Sequence, residues 1–118
     1  MYEYQTDLGY QVPMSYFQLV SQRRGVELST FDITTHNDLG NGFHRYVWEG
    51  LSINNDEYLV VRINAGNRKV ISAGYGVSDY APLYAMESLP LDVNLWHMTI
   101  FNQSNLQRRI SFYLIAKD

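Results

Sequence analysis

Leu95-Trp96-His97-Met98-Thr99-Ile100-Phe101, then Asn102-Gln103-Ser104-Asn105, then Arg109-Ile110-Ser111-Phe112-Tyr113-Leu114-Ile115-Ala116: these closing residues decide the fold class. Trp96, Met98 and Ile100 alternate with Leu95, His97, Thr99 and Phe101. Ile110, Phe112 and Leu114 alternate with Arg109, Ser111, Tyr113 and Ile115. A period of two is that of a strand, whose successive side chains point to opposite faces. The polar tetrad between the runs reads as a turn. The stretch therefore predicts a hairpin, with Trp96, Ile100, Ile110, Phe112 and Leu114 in the core.

The same grammar extends toward the N-terminus. Tyr16 to Val20 reads as a first strand, Gln22 to Gly25 as its turn and Val26 to Thr34 as a second strand with polar residues on both faces. Asn37-Asp38-Leu39-Gly40-Asn41-Gly42 reads as a loop, because Asn, Asp and Gly tolerate the positive φ of tight turns. Phe43 to Ile53 follows as a strand with a bulge at Gly50. Asn54 to Asp56 turns into Tyr58 to Ile63, a β-branched and aromatic run that suits a central strand. Asn64 to Asn67 then turns into Lys69 to Ser72. Gly74, Gly76 and Pro82 are expected to interrupt regularity, and Ala85 to Leu89 to form a single helical turn. Seven to nine short strands of this kind imply an all-β antiparallel sandwich with jelly-roll or Greek-key connections. Residues 1–14 read as an extended N-terminal arm and 15–118 as one sandwich domain.

Composition narrows the function classes. The chain has 118 residues, 46% of them apolar and 18% charged, which fits one domain with a core of its own. No apolar run reaches the ~20 residues a membrane helix needs, and residues 1–10 carry no secretory or transit pattern. A net charge of −3 speaks against a nucleic-acid partner. With no cysteine, a disulfide framework and thiolate metal ligation are both excluded.

Candidate chemistry is sparse. His36, Asp38 and His44 offer nitrogen and oxygen donors, but they match no zinc or calcium spacing and read as a turn with exposed histidines. His97 has no local nucleophile or orienting carboxylate. Asp56-Glu57 reads as solvated turn charge rather than a hydrolytic pair. Asn102-Gln103-Ser104 fits the glycosylation acceptor pattern but reads as a turn. No catalytic residue, metal site or cofactor is expected, so the chain is read as no enzyme; a cupin-like enzyme would need more than its three histidines.

Ten tyrosines and two tryptophans point instead to contact surfaces. Tyr2, Tyr4 and Tyr10 are the candidate interface residues of the arm, and Tyr75, Tyr80 and Tyr84 a candidate binding surface for protein or sugar. Leu95 to Ser104 running into Arg109 to Ala116 resembles the closing hairpin of small β-sandwich structural proteins of tailed bacteriophages, over the last quarter of the chain. That resemblance implies a virion protein assembled in the host cytoplasm, most concretely a capsid decoration or cement protein. Its partners would be the major capsid protein or other virion subunits, and its own state a homo-oligomer, with a trimer favoured. The rival reading is a carbohydrate- or receptor-binding module of the same shape.

Overall fold

In the computed structural model, which describes residues 22–118, the alternating runs build eight strands and, among the described residues, no helix. They are β1 (Arg23–Ser29), β2 (Thr35–Gly40), β3 (Phe43–Ile53), β4 (Tyr58–Asn64), β5 (Lys69–Val77), β6 (Leu83–Asp92), β7 (Leu95–Asn102) and β8 (Arg108–Lys117). The first sheet has the order β1-β4-β7-β6 and the second the order β2-β3-β8-β5. All pairs are antiparallel except β1 with β4, which run parallel from Arg23↔Tyr58 to Ser29↔Asn64. The fold is a β-sandwich. β5 is followed by β6 and β7 in the other sheet, and β8 then returns to lie beside β5, which is the Greek-key order.

Side chains that alternate inward form one core between the sheets. Leu59, Val61 and Ile63 of β4 and Met98 and Ile100 of β7 meet Tyr46, Trp48, Ile110, Phe112 and Leu114 of β3 and β8, all at most 1% exposed. Each large apolar side chain enclosed there contributes roughly 1.5–3 kcal/mol. The indole N–H of Trp48 is not left unpaired. It donates to the Ser29 carbonyl at 2.8 Å and the Asp32 carboxylate at 3.1 Å, pinning the β1–β2 link to β3.

Several expectations are corrected. Residues 23–25 are strand, because β1 finds a parallel partner in β4 that its own sequence does not announce. Val26 to Thr34 is broken at Thr30, where the chain leaves the first sheet for the second. The 37–42 loop shrinks to a two-residue turn at Asn41-Gly42, with positive φ at Gly40, Asn41 and Gly42. Gly74 and Gly76 lie inside β5, and 85–89 is part of β6, with no helical turn. The predicted closing hairpin is a corner instead, since β7 and β8 sit in different sheets. Ile100, Ile110, Phe112 and Leu114 are core as expected, whereas Trp96 is half-buried at the core margin with its N–H on Ser88. The arm with Tyr2, Tyr4 and Tyr10, and the strand expected at Tyr16 to Val20, lie outside the described residues.

Candidate functional site

Gly50, Gly74 and Gly76 shape the outer face of the second sheet. A bulge between Trp48 and Leu51 puts Gly50 at φ +81°, a left-handed conformation that glycine adopts without strain. Across β8, Gly74 faces Tyr113 and Gly76 faces Ser111, so β5 presents no side chain at either position. A Cβ at Gly76 would stand 3.3 Å from the Tyr113 ring, tighter than ordinary contact. Glycine there lets the ring lie flat along the sheet. The result is an open trough of about 580 Å³ lined by Thr34, Glu49, Ser78, Arg109, Ser111 and Tyr113 together with Gly50 and Gly76. That volume lies in the range of small-molecule sites. The Arg45 guanidinium sits 5.7 Å from the Tyr113 ring centre. Glu49 and Arg109 are exposed, and neither side chain is bonded to another described residue. The trough thus combines one aromatic ring with a cation and a carboxylate that have no side-chain partner among the described residues, and with hydroxyls.

The three tyrosines singled out by composition do not form one surface. Tyr75 points into the sandwich, packs on the core and donates its hydroxyl to the Leu83 carbonyl at 3.0 Å. Tyr80 is fully exposed in the β5–β6 loop, and Tyr84 is half-exposed on β6. Register aligns Tyr84, Phe101 and Tyr58 across the first sheet, with the Tyr58 and Phe101 rings 4.6 Å apart. Beside that aromatic row, His97 is clamped. Its Nε2 donates to Glu87 at 2.8 Å, and its Nδ1 accepts from Arg62 Nε at 3.4 Å. The Thr99 hydroxyl also donates to Glu87, at 3.1 Å. The bond from His97 chiefly, and that from Thr99, hold the Glu87 carboxyl below its usual range. With both ring nitrogens occupied, His97 is a cross-strand brace.

At the β2–β3 end, the structure brings His36 and His44 together and sends Asp38 elsewhere. Asp38 accepts from the Gly40 N–H at 2.8 Å, an Asx turn that closes the hairpin. Asp118 takes the expected carboxylate position. His44, buried, donates from Nε2 to Asp118 at 3.0 Å and accepts on Nδ1 from His36 Nε2 at 2.9 Å. Arg68 donates to the same Asp118 oxygen at 2.8 Å and to the Tyr46 hydroxyl at 2.8 Å. Arg68 foremost, then His44, keeps the Asp118 carboxyl below the usual range. The exposed His36 ring stacks on Tyr46 at 4.6 Å.

Sequence reasoning missed Tyr113, Arg109 and Glu49 as a group, because their convergence depends on which strands pair. The available signal was the doublet of glycines at 74 and 76 inside an otherwise strand-forming run, which marks a place where something approaches the backbone closely.

Among known proteins, residues 24–116 match the family model described as YjdH. No curated protein matches the chain, and no solved structure does.

Proposed function

The chain belongs to the YjdH family, and with the matched span coinciding with the sandwich, we propose that this domain is a non-catalytic binding module whose trough on the second sheet takes a carbohydrate. The observation that carries the reading is the Tyr113 ring laid flat beside two side-chain-free positions, with Arg109, Glu49 and Ser111 around it. A sugar presents an apolar ring face and a rim of hydroxyls. An aromatic surface serves the first, and charged and hydroxyl groups with free hydrogen-bonding capacity serve the second. The sheet supplies a rigid floor, so little order has to be acquired on binding.

A glycan array probed with the full chain tests this reading. Reproducible hits that disappear in Tyr113→Ala, with an unchanged circular dichroism spectrum, are expected. Hits that survive Tyr113→Ala, or no hits at all, would sink it.

A second reading, a virion structural protein such as a capsid decoration subunit, is supported by a different feature. Met86, Leu89 and Leu91 of β6, Val93 after it and Ile71 of β5 are all exposed, and the Val70 N–H donates to the Val93 carbonyl at 2.8 Å, which brings Ile71 and Val93 to one junction of the two sheet edges. Patches of this kind favour association. On this reading the chain is oligomeric in solution, as a trimer, and binds the major capsid protein or another subunit of its particle. Light scattering that gives a monomer, together with no association with particle components encoded beside it, ends the reading.

A further inference from the structure

The hydrogen bond between His36 and His44 joins two nitrogens that are also placed as metal ligands. On the paired β2 and β3, His36 lies opposite Tyr46 and Asp38 opposite His44, so the two histidines are diagonal neighbours on one face of the hairpin. Diagonal side chains of this size reach one another across a strand pair. Because His44 gives its Nε2–H to Asp118, its Nδ1 carries a lone pair directed at His36 Nε2. This is the arrangement of a metal-bound imidazole: the distal N–H rests on a carboxylate, which fixes the tautomer and raises the basicity of the ligating nitrogen. Arg68 holds that carboxylate in place, and Tyr46 stacks under His36.

We propose that His36 and His44 form a two-histidine site for a divalent late transition metal, copper(II) first and nickel(II) second. His36 must move its proton from Nε2 to Nδ1, a tautomeric shift with no change of charge, and its exposed ring must turn so that its lone pair and that of His44 meet at the metal instead of facing each other. Both facing nitrogens then present lone pairs. With metal–nitrogen bonds of about 2.0–2.1 Å, a nitrogen separation kept at 2.9 Å gives an N–metal–N angle of about 90°. That angle is the cis angle of square-planar or tetragonal copper and nickel, and narrower than a tetrahedral zinc centre prefers. Among the described residues no three histidine, aspartate or glutamate side chains converge on one point, so water completes the coordination. The exposure of His36 leaves room for it.

The test is titration of the tag-free full chain with copper(II) chloride, followed by calorimetry and by electron paramagnetic resonance. One saturable equivalent with splitting from two nitrogens is expected. His36→Ala, at an exposed position, should weaken binding at least tenfold without unfolding the chain. Asp118→Asn, which keeps the histidines and alters only their support, should weaken it about tenfold. Binding that His36→Ala leaves unchanged, a spectrum without nitrogen splitting, or no saturable equivalent would each overturn the proposal.

Discussion

Asn102 shows how much one side chain can hold. It is fully enclosed, and its Nδ2 donates toward the carbonyls of Ile53, Asn54 and Leu106 at 2.8–3.1 Å. Its Oδ1 accepts from the Ser104 N–H at 2.9 Å and from the Ser104 hydroxyl. These bonds tie the β3–β4 turn to the corner where the chain passes from the first sheet to the second. The Asn102-Gln103-Ser104 tripeptide therefore does not serve as a glycosylation acceptor in the folded state, because its amide is committed and covered. Asn102→Ala leaves buried carbonyls without partners, each costing about 1–3 kcal/mol. A loss of at least ~2 kcal/mol in urea unfolding is expected. Asn102→Asp should be worse, since it turns a carboxylate toward carbonyl oxygens. Equal stability of Asp and wild type would contradict this account. Nothing local in the sequence distinguishes this asparagine from an ordinary turn residue, because two of its three acceptors, the carbonyls of Ile53 and Asn54, lie 49 and 48 positions away.

Strands were legible where one face is buried and the other is not. Phe43–Ile53 was readable to its ends, and its bulge to the residue, because Tyr46 and Trp48 set the phase and Gly50 interrupts it. β6 was not legible. Apart from Leu83 it is exposed along its whole length, so no alternation survives, and Pro90 and two bulges disguise it further. Proline and bulges on an edge strand discourage pairing with other chains, which accounts for a strand that looks unlike one. Pairing was harder to read than existence. A polar tetrad follows β7 whether β8 turns back beside it or crosses to the facing sheet, so the trough on β3, β8 and β5 stayed hidden. Glycines at element scale give a paired prediction. Gly50→Val forces a branched side chain into the left-handed region and should cost about 1–2 kcal/mol. Gly25→Val, on edge strand β1 with open space at its Cβ, should be neutral or stabilising. Thermal unfolding of both variants checks the pair. Gly76→Ala crowds the Tyr113 ring and should weaken any glycan bound in the trough more than it lowers the melting temperature. A fall in melting temperature with binding intact would separate the ring's position from recognition.

Over the whole molecule, β2–β3 and β6–β7 are joined within a sheet, and the other five connections cross between sheets. Neither sheet can be completed without the other, so unfolding should be a single cooperative transition. β1 has the weakest claim to its place, being an edge strand in parallel pairing, and an ion pair secures its start. Arg24 grips both oxygens of Glu57 at 2.9 Å and also donates to the Ser52 carbonyl at 2.8 Å. Glu57, buried, accepts from the Asn54 N–H as well. The Arg24 bond above all lowers the Glu57 carboxyl from its ordinary value of 4.5. A carboxyl whose folded value is depressed contributes stability that is complete above its unfolded value and is lost as pH falls through the folded one. The chain should therefore hold its stability down to about pH 4.5 and lose it progressively below. Because Arg24 is partly exposed and screened by water, the pair is worth about 1 kcal/mol rather than the larger figure for a sealed one. Glu57→Gln keeps the shape and the Asn54 contact while removing the charge. It should be less stable than wild type at pH 7, and the gap should narrow as the pH is lowered toward 3, where the Glu57 charge is progressively lost. Urea unfolding at the two pH values measures that gap. A difference of the same size at both would mean that packing, and not charge, keeps β1 in the first sheet.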